Sequence, residues 1–146
     1  MSAFQDNITV AAPDNKQYIV RNKHVDWLGK TVLIVEDTPS NFQLIETYLS
    51  RTGVTIIHVD NGNKALEIIE HKESIDLIVM DIRLPEMNGL IATRKIREKN
   101  SSIPIIAQTA YAMDTDKELC LSAGCNEFIP KPFRKHELLD VMANYL

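Results

Sequence analysis

The sequence predicts an α/β protein, an open, doubly wound parallel sheet with helices on both faces. Three observations lead there. From Lys30 onward, apolar runs rich in β-branched residues alternate with amphipathic helical stretches, the pattern of repeated βαβ units. There are about five of each, too few for a closed eight-fold barrel. A chain of 146 residues, 45% hydrophobic and 25% charged, is about one ordinary globular domain that can bury roughly two-thirds of its unfolded surface.

Residues 1–29 stand apart as an N-terminal extension or linker, and 30–146 form the domain. Met1 to Lys16 is rich in Ala, Asn, Asp and Gln, with Pro13-Asp14-Asn15 as a turn signal and no sustained period. Tyr18-Ile19-Val20 offers a short strand, and Trp27 is expected to pack against the first strand of the domain. Strands follow at about 31–36, 54–59, 75–80, 103–107 and 126–129. The first helix opens at Thr38-Pro39, an N-cap followed by Pro at the first helical position. Its apolar stripe is Phe42, Ile45 and Leu49 with Leu44 and Tyr48, and Gly53 ends it. A second helix after Asn61-Gly62 carries Ala65, Leu66, Ile68 and Ile69. A third begins near Asn88-Gly89, a fourth runs from after Tyr111 to Gly124, and the last starts near Arg134 with Leu138, Val141, Met142 and Tyr145 at helical spacing.

The bulk numbers also exclude. A net charge of −4 argues against a broad nucleic-acid surface, and Arg94, Lys95, Arg97 and Lys99 read as the solvated face of one helix. There is no secretory signal pattern, and no apolar stretch approaches the roughly 20 residues of a membrane span. Cys120 and Cys125 lack the further ligands of a structural zinc, so two reduced, buried thiols and a cytoplasmic location are expected.

In open α/β sheets the site lies beyond the carboxyl ends of the strands. Glu36 and Asp37 stand beyond the first strand here, Asp81 beyond the third, Thr109 beyond the fourth and Lys131 beyond the fifth. Each alone has an ordinary structural explanation, such as a strand-end acid or a solvated Lys, but packing accounts poorly for all five at one edge. Three carboxylates brought together would hold a proton among them unless a cation joins them. Oxygen ligands of this kind suit Mg²⁺, which keeps several waters and completes its shell with phosphate oxygens. The loop Glu36-Asp37-Thr38-Pro39-Ser40 is acidic rather than Gly-rich and would repel the bare phosphate of a dinucleotide or flavin. A phosphatase with a second Asp two residues after its nucleophile is disfavoured by Arg83. Asp81, single and central, is then the natural nucleophile toward phosphorus, forming an acyl phosphate. Lys131 supplies a second cation and Thr109 a hydroxyl donor.

The runs Val32-Leu33-Ile34-Val35-Glu36-Asp37, Met80-Asp81-Ile82-Arg83-Leu84-Pro85-Glu86-Met87-Asn88-Gly89, Thr109-Ala110 and Pro130-Lys131-Pro132-Phe133 closely resemble the receiver (response-regulator) domain of two-component phosphorelay systems, across about 30–146. The resemblance implies a flavodoxin-like sheet of order 2-1-3-4-5. It implies that Asp81 is the phosphoacceptor, that Asp37 binds Mg²⁺ directly and Glu36 through water, and that the backbone carbonyl of Arg83 is a further ligand. It also implies a cis peptide between Lys131 and Pro132. Thr109 and Phe128 become the switch pair, with Phe128 as a static core aromatic the alternative. Ala110 leaves the phosphoryl group accessible, and Arg83 and Tyr111 flank the path of attacking water. The implied partners are a histidine kinase or histidine phosphotransfer protein, and a downstream protein on the face formed by about 112–145. A phosphorylation-dependent dimer is open, with no direct nucleic acid and no membrane insertion.

Two origins remain open. Met1, and the lack of an output region after the last helix, fit a stand-alone receiver. Trp27-Leu28-Gly29-Lys30 and Ile105-Ile106-Ala107-Gln108-Thr109-Ala110 resemble receivers of hybrid histidine kinases, and the reading leans slightly that way. Rival classes are a pseudo-receiver scaffold that never takes phosphate and a metal-dependent phosphatase.

Overall fold

The computed structural model describes residues 3–11, 17–71, 74–110 and 114–146. Its centre is a five-stranded parallel sheet of β3 (Thr31–Val35), β4 (Thr55–Val59), β5 (Leu77–Asp81), β6 (Ile105–Thr109) and β7 (Glu127–Pro130). The spatial order is β4-β3-β5-β6-β7, which is 2-1-3-4-5 when counted within the sheet. Between the strands run α1 (Pro39–Leu49), α2 (Gly62–Glu70), α3 (Gly89–Lys99) and α4 (Asp114–Ala123), and α5 (Lys135–Ala143) follows β7.

Strands β5 and β6 are buried along their whole length, and β3 is buried from its second residue. That is why they read as unbroken apolar runs rather than alternating ones. Successive residues nonetheless go to opposite faces. Leu33, Val35, Ile78, Met80, Ile105 and Ala107 meet Ala65 of α2, Ala92 and Ile96 of α3 and Cys120 of α4. Val32, Ile34, Leu77, Val79 and Ile106 meet Ile45 and Leu49 of α1, and Leu138 and Met142 of α5. Burying each large aliphatic side chain contributes about 1.5–3 kcal/mol. Trp27 is buried in the second cluster, as expected, and its backbone N–H donates to Thr52 O at 2.6 Å.

Several local expectations are corrected. The short strand expected at 18–20 lies within a longer one, and a second strand not expected from the sequence precedes it. Here β1 (Ala3–Ala11) and β2 (Gln17–Val25) form an antiparallel pair in register from Ala3↔Val25 to Ala11↔Gln17. The Asn and Asp in this stretch are poor strand formers and obscured the period. Thr38 takes the N-cap position with Pro39 after it, but its side chain makes no capping bond. Leu44 is exposed rather than part of the buried stripe. The first helix ends at Leu49, and Gly53 (φ +78°) serves the following turn. By contrast, Asn61 and Asn88 do cap, accepting from Lys64 N at 2.9 Å and Ile91 N at 3.0 Å.

Arg97 departs most from its reading as a solvated charge. Its guanidinium donates to Gly124 O (2.9 Å), Asn100 O (3.3 Å), Ile103 O (2.6 Å) and Asn126 Oδ1 (2.9 Å), tying α3 to the ends of two loops. Arg94, Lys95 and Lys99 are exposed, and both cysteines are free and buried, as expected.

Candidate functional site

The carboxyl edge of the sheet is assembled by backbone bonds from neighbouring strands. Beyond β3, Glu36 N donates to Val59 O at 3.1 Å, and His58 Nε2 lies 2.8 Å from Glu36 O. The His58 ring stacks on Phe42 of α1, with centroids 3.7 Å apart. The acidic loop is thus pinned by β4 and by the helix that follows it. Asp81 is the last residue of β5, and the chain continues with Ile82 N donating to Gln108 O at 3.1 Å. Beyond β7, Lys131 N donates to Thr109 O at 2.7 Å, and the Lys131–Pro132 peptide is cis.

Gly89 is required where it stands. It opens α3 with its N–H donating to Ile82 O at 2.9 Å, and a Cβ there would collide with the Asp81 backbone carbonyl. Only a residue without a side chain lets the helix come this close to the strand end.

These bonds bring together four of the predicted groups. Carboxylate oxygens of Glu36, Asp37 and Asp81 lie within 4.8 Å of one another; Glu36 and Asp81 are buried and Asp37 is exposed. Lys131 Nζ bridges Glu36 Oε1 and Asp81 Oδ2, each at 3.2 Å. The other Asp81 oxygen, Oδ1, accepts from Arg83 N at 2.9 Å. Glu36 Oε2 is buried with no partner among the described residues. Burial, with the neighbouring Asp81 carboxylate adding to it, raises the Glu36 carboxyl from 4.5 to about 8 against the opposing pull of Lys131. One ammonium therefore does not balance three carboxylates, and the orphaned oxygen faces a shortage of positive charge. An all-oxygen donor set of this kind fits a hard divalent cation.

Thr109 is buried at the end of β6 beside this cluster. Phe128 is half-buried and packs on the core face shared with Met80 and Ala107. Ala110 is exposed and lines a cavity of about 270 Å³ between α1 and residues 131–133. Arg83 is exposed at the site's margin, and Tyr111 lies outside the described residues. Sequence reasoning missed His58, a lone histidine on an edge strand with no local pattern to mark it. It also passed over Gln108, whose signal was present: one amide in an otherwise apolar run.

Residues 32–143 match the family model of the response regulator receiver domain. The chain is 38% identical over 122 residues to the polar-differentiation response regulator DivK of Brucella anthropi, covering 82% of this chain and 98% of that one. It is 37% identical over 119 residues to the sensor histidine kinase GacS of Pseudomonas protegens, where the match covers 78% of this chain but only 13% of the kinase. Among solved structures it is similar to the receiver domain of sensor histidine kinase PA1611 from Pseudomonas aeruginosa PAO1, crystallised with a magnesium ion in its active-site cleft. That likeness has a TM-score of 0.74 at 39% identity and covers 80% of this chain and 97% of that one. With the sheet order, the acid cluster and the bridging lysine in place, these matches establish that the chain belongs to the response regulator receiver domain family.

Proposed function

We propose that this receiver takes a phosphoryl group on the Asp81 carboxylate. An Asp81 oxygen forms the new bond to phosphorus as the bond from phosphorus to a donor histidine nitrogen breaks. The observation that carries the reading is the Lys131 ammonium held 3.2 Å from both Asp81 and Glu36, beside a Glu36 Oε2 that has no partner among the described residues. Asp37, Asp81 and the backbone carbonyl of Arg83 would hold Mg²⁺ directly, and Glu36 through water. When bound, Mg²⁺ supplies the charge neutralisation on phosphoryl oxygens that dominates this chemistry.

The chain's own groups do the rest. Lys131 steadies the Asp81 carboxylate before transfer and the phosphoryl oxygens after it. Thr109 donates its hydroxyl to the phosphoryl group, and Phe128 moves inward behind it. A phosphoryl charge of about −1.5 to −2 making one to three charge-assisted bonds can supply the roughly 5.5 kcal/mol of a full population switch. Ala110 leaves the path to phosphorus open, while Arg83 and Tyr111 set how fast water follows it and removes the group.

The donor is a histidine kinase or histidine phosphotransfer protein in the cytoplasm. The signal is passed to a protein partner on the face formed by about 112–145, without nucleic-acid contact or membrane insertion. Residues 1–29 precede the receiver proper, 30–146, as an extension that includes the β1–β2 pair. The similarity to sensor kinases favours the hybrid type, in which phosphate is passed onward.

Intact-mass measurement after incubation with Mg²⁺ and acetyl phosphate tests the reading. A gain of one phosphoryl group, lost in Asp81→Asn, is expected. No gain and no Mg²⁺ binding would establish a scaffold that never takes phosphate, and sustained turnover of a small phosphomonoester would establish a phosphatase.

A further inference from the structure

Glu36 and Asp37 leave the sheet just after β3, and the peptide between them is held from the outermost strand, β4. Glu36 O lies 2.8 Å from His58 Nε2. A carbonyl oxygen can only accept, so this ring nitrogen carries the hydrogen and donates. On the other side of the same residue, Glu36 N donates to Val59 O at 3.1 Å. Each peptide unit is planar. Fixing the N–H before the Glu36 Cα and the carbonyl after it therefore sets both planes. That decides where the Glu36 side chain leaves the backbone and where Asp37 begins. His58 is exposed on its edge strand, where a side chain is free to turn toward water. Phe42, in the first turn of α1, holds it in place: the two rings are parallel to within 5°, with centroids 3.7 Å apart. The stack removes rotamer freedom that the hydrogen bond would otherwise have to overcome.

We propose that His58 is a positioning residue for metal binding: its Nε2–H holds the Glu36–Asp37 peptide in the orientation that brings both acids to Asp81. This role rests on the reading of the cluster as a Mg²⁺ site and goes beyond it by naming what fixes two of the three acids. Carboxylate oxygens of Glu36, Asp37 and Asp81 lie within 4.8 Å of one another, and that convergence lasts only while the loop keeps its course. A loop already set has less ordering left to lose when a cation arrives. Groups that orient metal ligands from behind are worth about 10–100-fold in metal affinity. His58 acts on backbone rather than on a ligand atom, which puts it at the lower end, about tenfold. Asp81 and Thr109 end their own strands, and the Lys131 backbone is tied to Thr109. The effect of His58 therefore falls on metal affinity and leaves the rate at saturating metal to those groups.

Two substitutions separate the hydrogen bond from the stack. His58→Phe keeps a flat ring against Phe42 but has no donor, and His58→Gln keeps an N–H donor at similar reach without the ring. Isothermal titration of the full chain with Mg²⁺ should show about tenfold weaker binding in His58→Phe. In His58→Gln the affinity should return to within about threefold of the unaltered chain. In labelling by acetyl phosphate, His58→Phe should need about tenfold more Mg²⁺ for its half-maximal rate and reach the same rate at saturation. Unchanged Mg²⁺ affinity in His58→Phe would overturn the role of His58 and leave the metal site standing. Equal weakening in both variants would also overturn it, because a donor in that place would then make no difference. Absence of Mg²⁺ binding by the unaltered chain would overturn the metal site itself, and this role with it.

Discussion

Magnesium binding to this receiver should expel close to one proton near neutral pH. The perturbation is the Glu36 carboxyl, raised from 4.5 to about 8 by burial and by the Asp81 carboxylate beside it. With that value, Glu36 is about nine-tenths protonated at about pH 7, half protonated at about pH 8, and about one-tenth at about pH 9. A cation that takes up the cluster's negative charge requires the ionised form, so the proton leaves as the metal enters. Apparent Mg²⁺ affinity should therefore rise about tenfold per pH unit up to about pH 8 and level off above it. The sign for folding follows from the same shift. In metal-free protein the raised carboxyl contributes stability that is full below its ordinary range and is lost as pH climbs through about 8. Mg²⁺ restores it there by mass action. Isothermal titration in two buffers of unlike ionisation enthalpy measures the proton count directly. The expected values are about 0.9 at about pH 7, falling toward 0.1 at about pH 9, and near zero at every pH in Glu36→Gln. No release at about pH 7, or the same release in Glu36→Gln, would refute the assignment of that proton to Glu36.

Other outcomes follow from the packing. Gly89→Ala, whose methyl would enter the Asp81 backbone, should cost about 1–3 kcal/mol in urea unfolding and slow labelling by acetyl phosphate together. A loss of stability with unchanged labelling would mean that α3 gives way rather than Asp81. Arg97→Met removes a guanidinium that serves three carbonyls and one side chain, and should cost about 2 kcal/mol by the same measurement. An effect within the scatter of exposed charges would put Arg97 back among the solvated residues. Leu138→Ala, emptying a fully buried site under α5, should cost about 2–5 kcal/mol. Burial pushes the Cys120 thiol up to about 12, so a thiol reagent at about pH 8 should label it only as fast as the domain opens.

Much of this was legible in order of appearance along the chain. The runs at β3, β5 and β6 were unmistakable because strands buried on both faces must be apolar throughout. The ends of those runs marked where polar side chains had to emerge, which located Glu36, Asp37, Asp81, Thr109 and Lys131. The errors fell where a residue's partner lies far along the chain. Arg97 looked like its exposed neighbours because its acceptors come from residues 100–126. His58 looked like any edge-strand residue because the carbonyl it meets is 22 positions earlier. The β1–β2 pair was obscured by polar residues of low strand propensity, and only pairing revealed it.

The sequence by itself determined the fold class, the identity of the acids, the hydroxyl and the lysine, and the strand ends that carry them. Those are properties of local pattern: period, burial and the residue that follows each run. The tertiary structure decided how the charges share one space. It placed the Lys131 ammonium between two buried carboxylates, and left one oxygen of Glu36 and both amide atoms of Gln108 without a hydrogen-bond partner among the described residues. Charge balance and hydrogen-bond satisfaction depend on distance through space, and sequence spacing does not encode that distance.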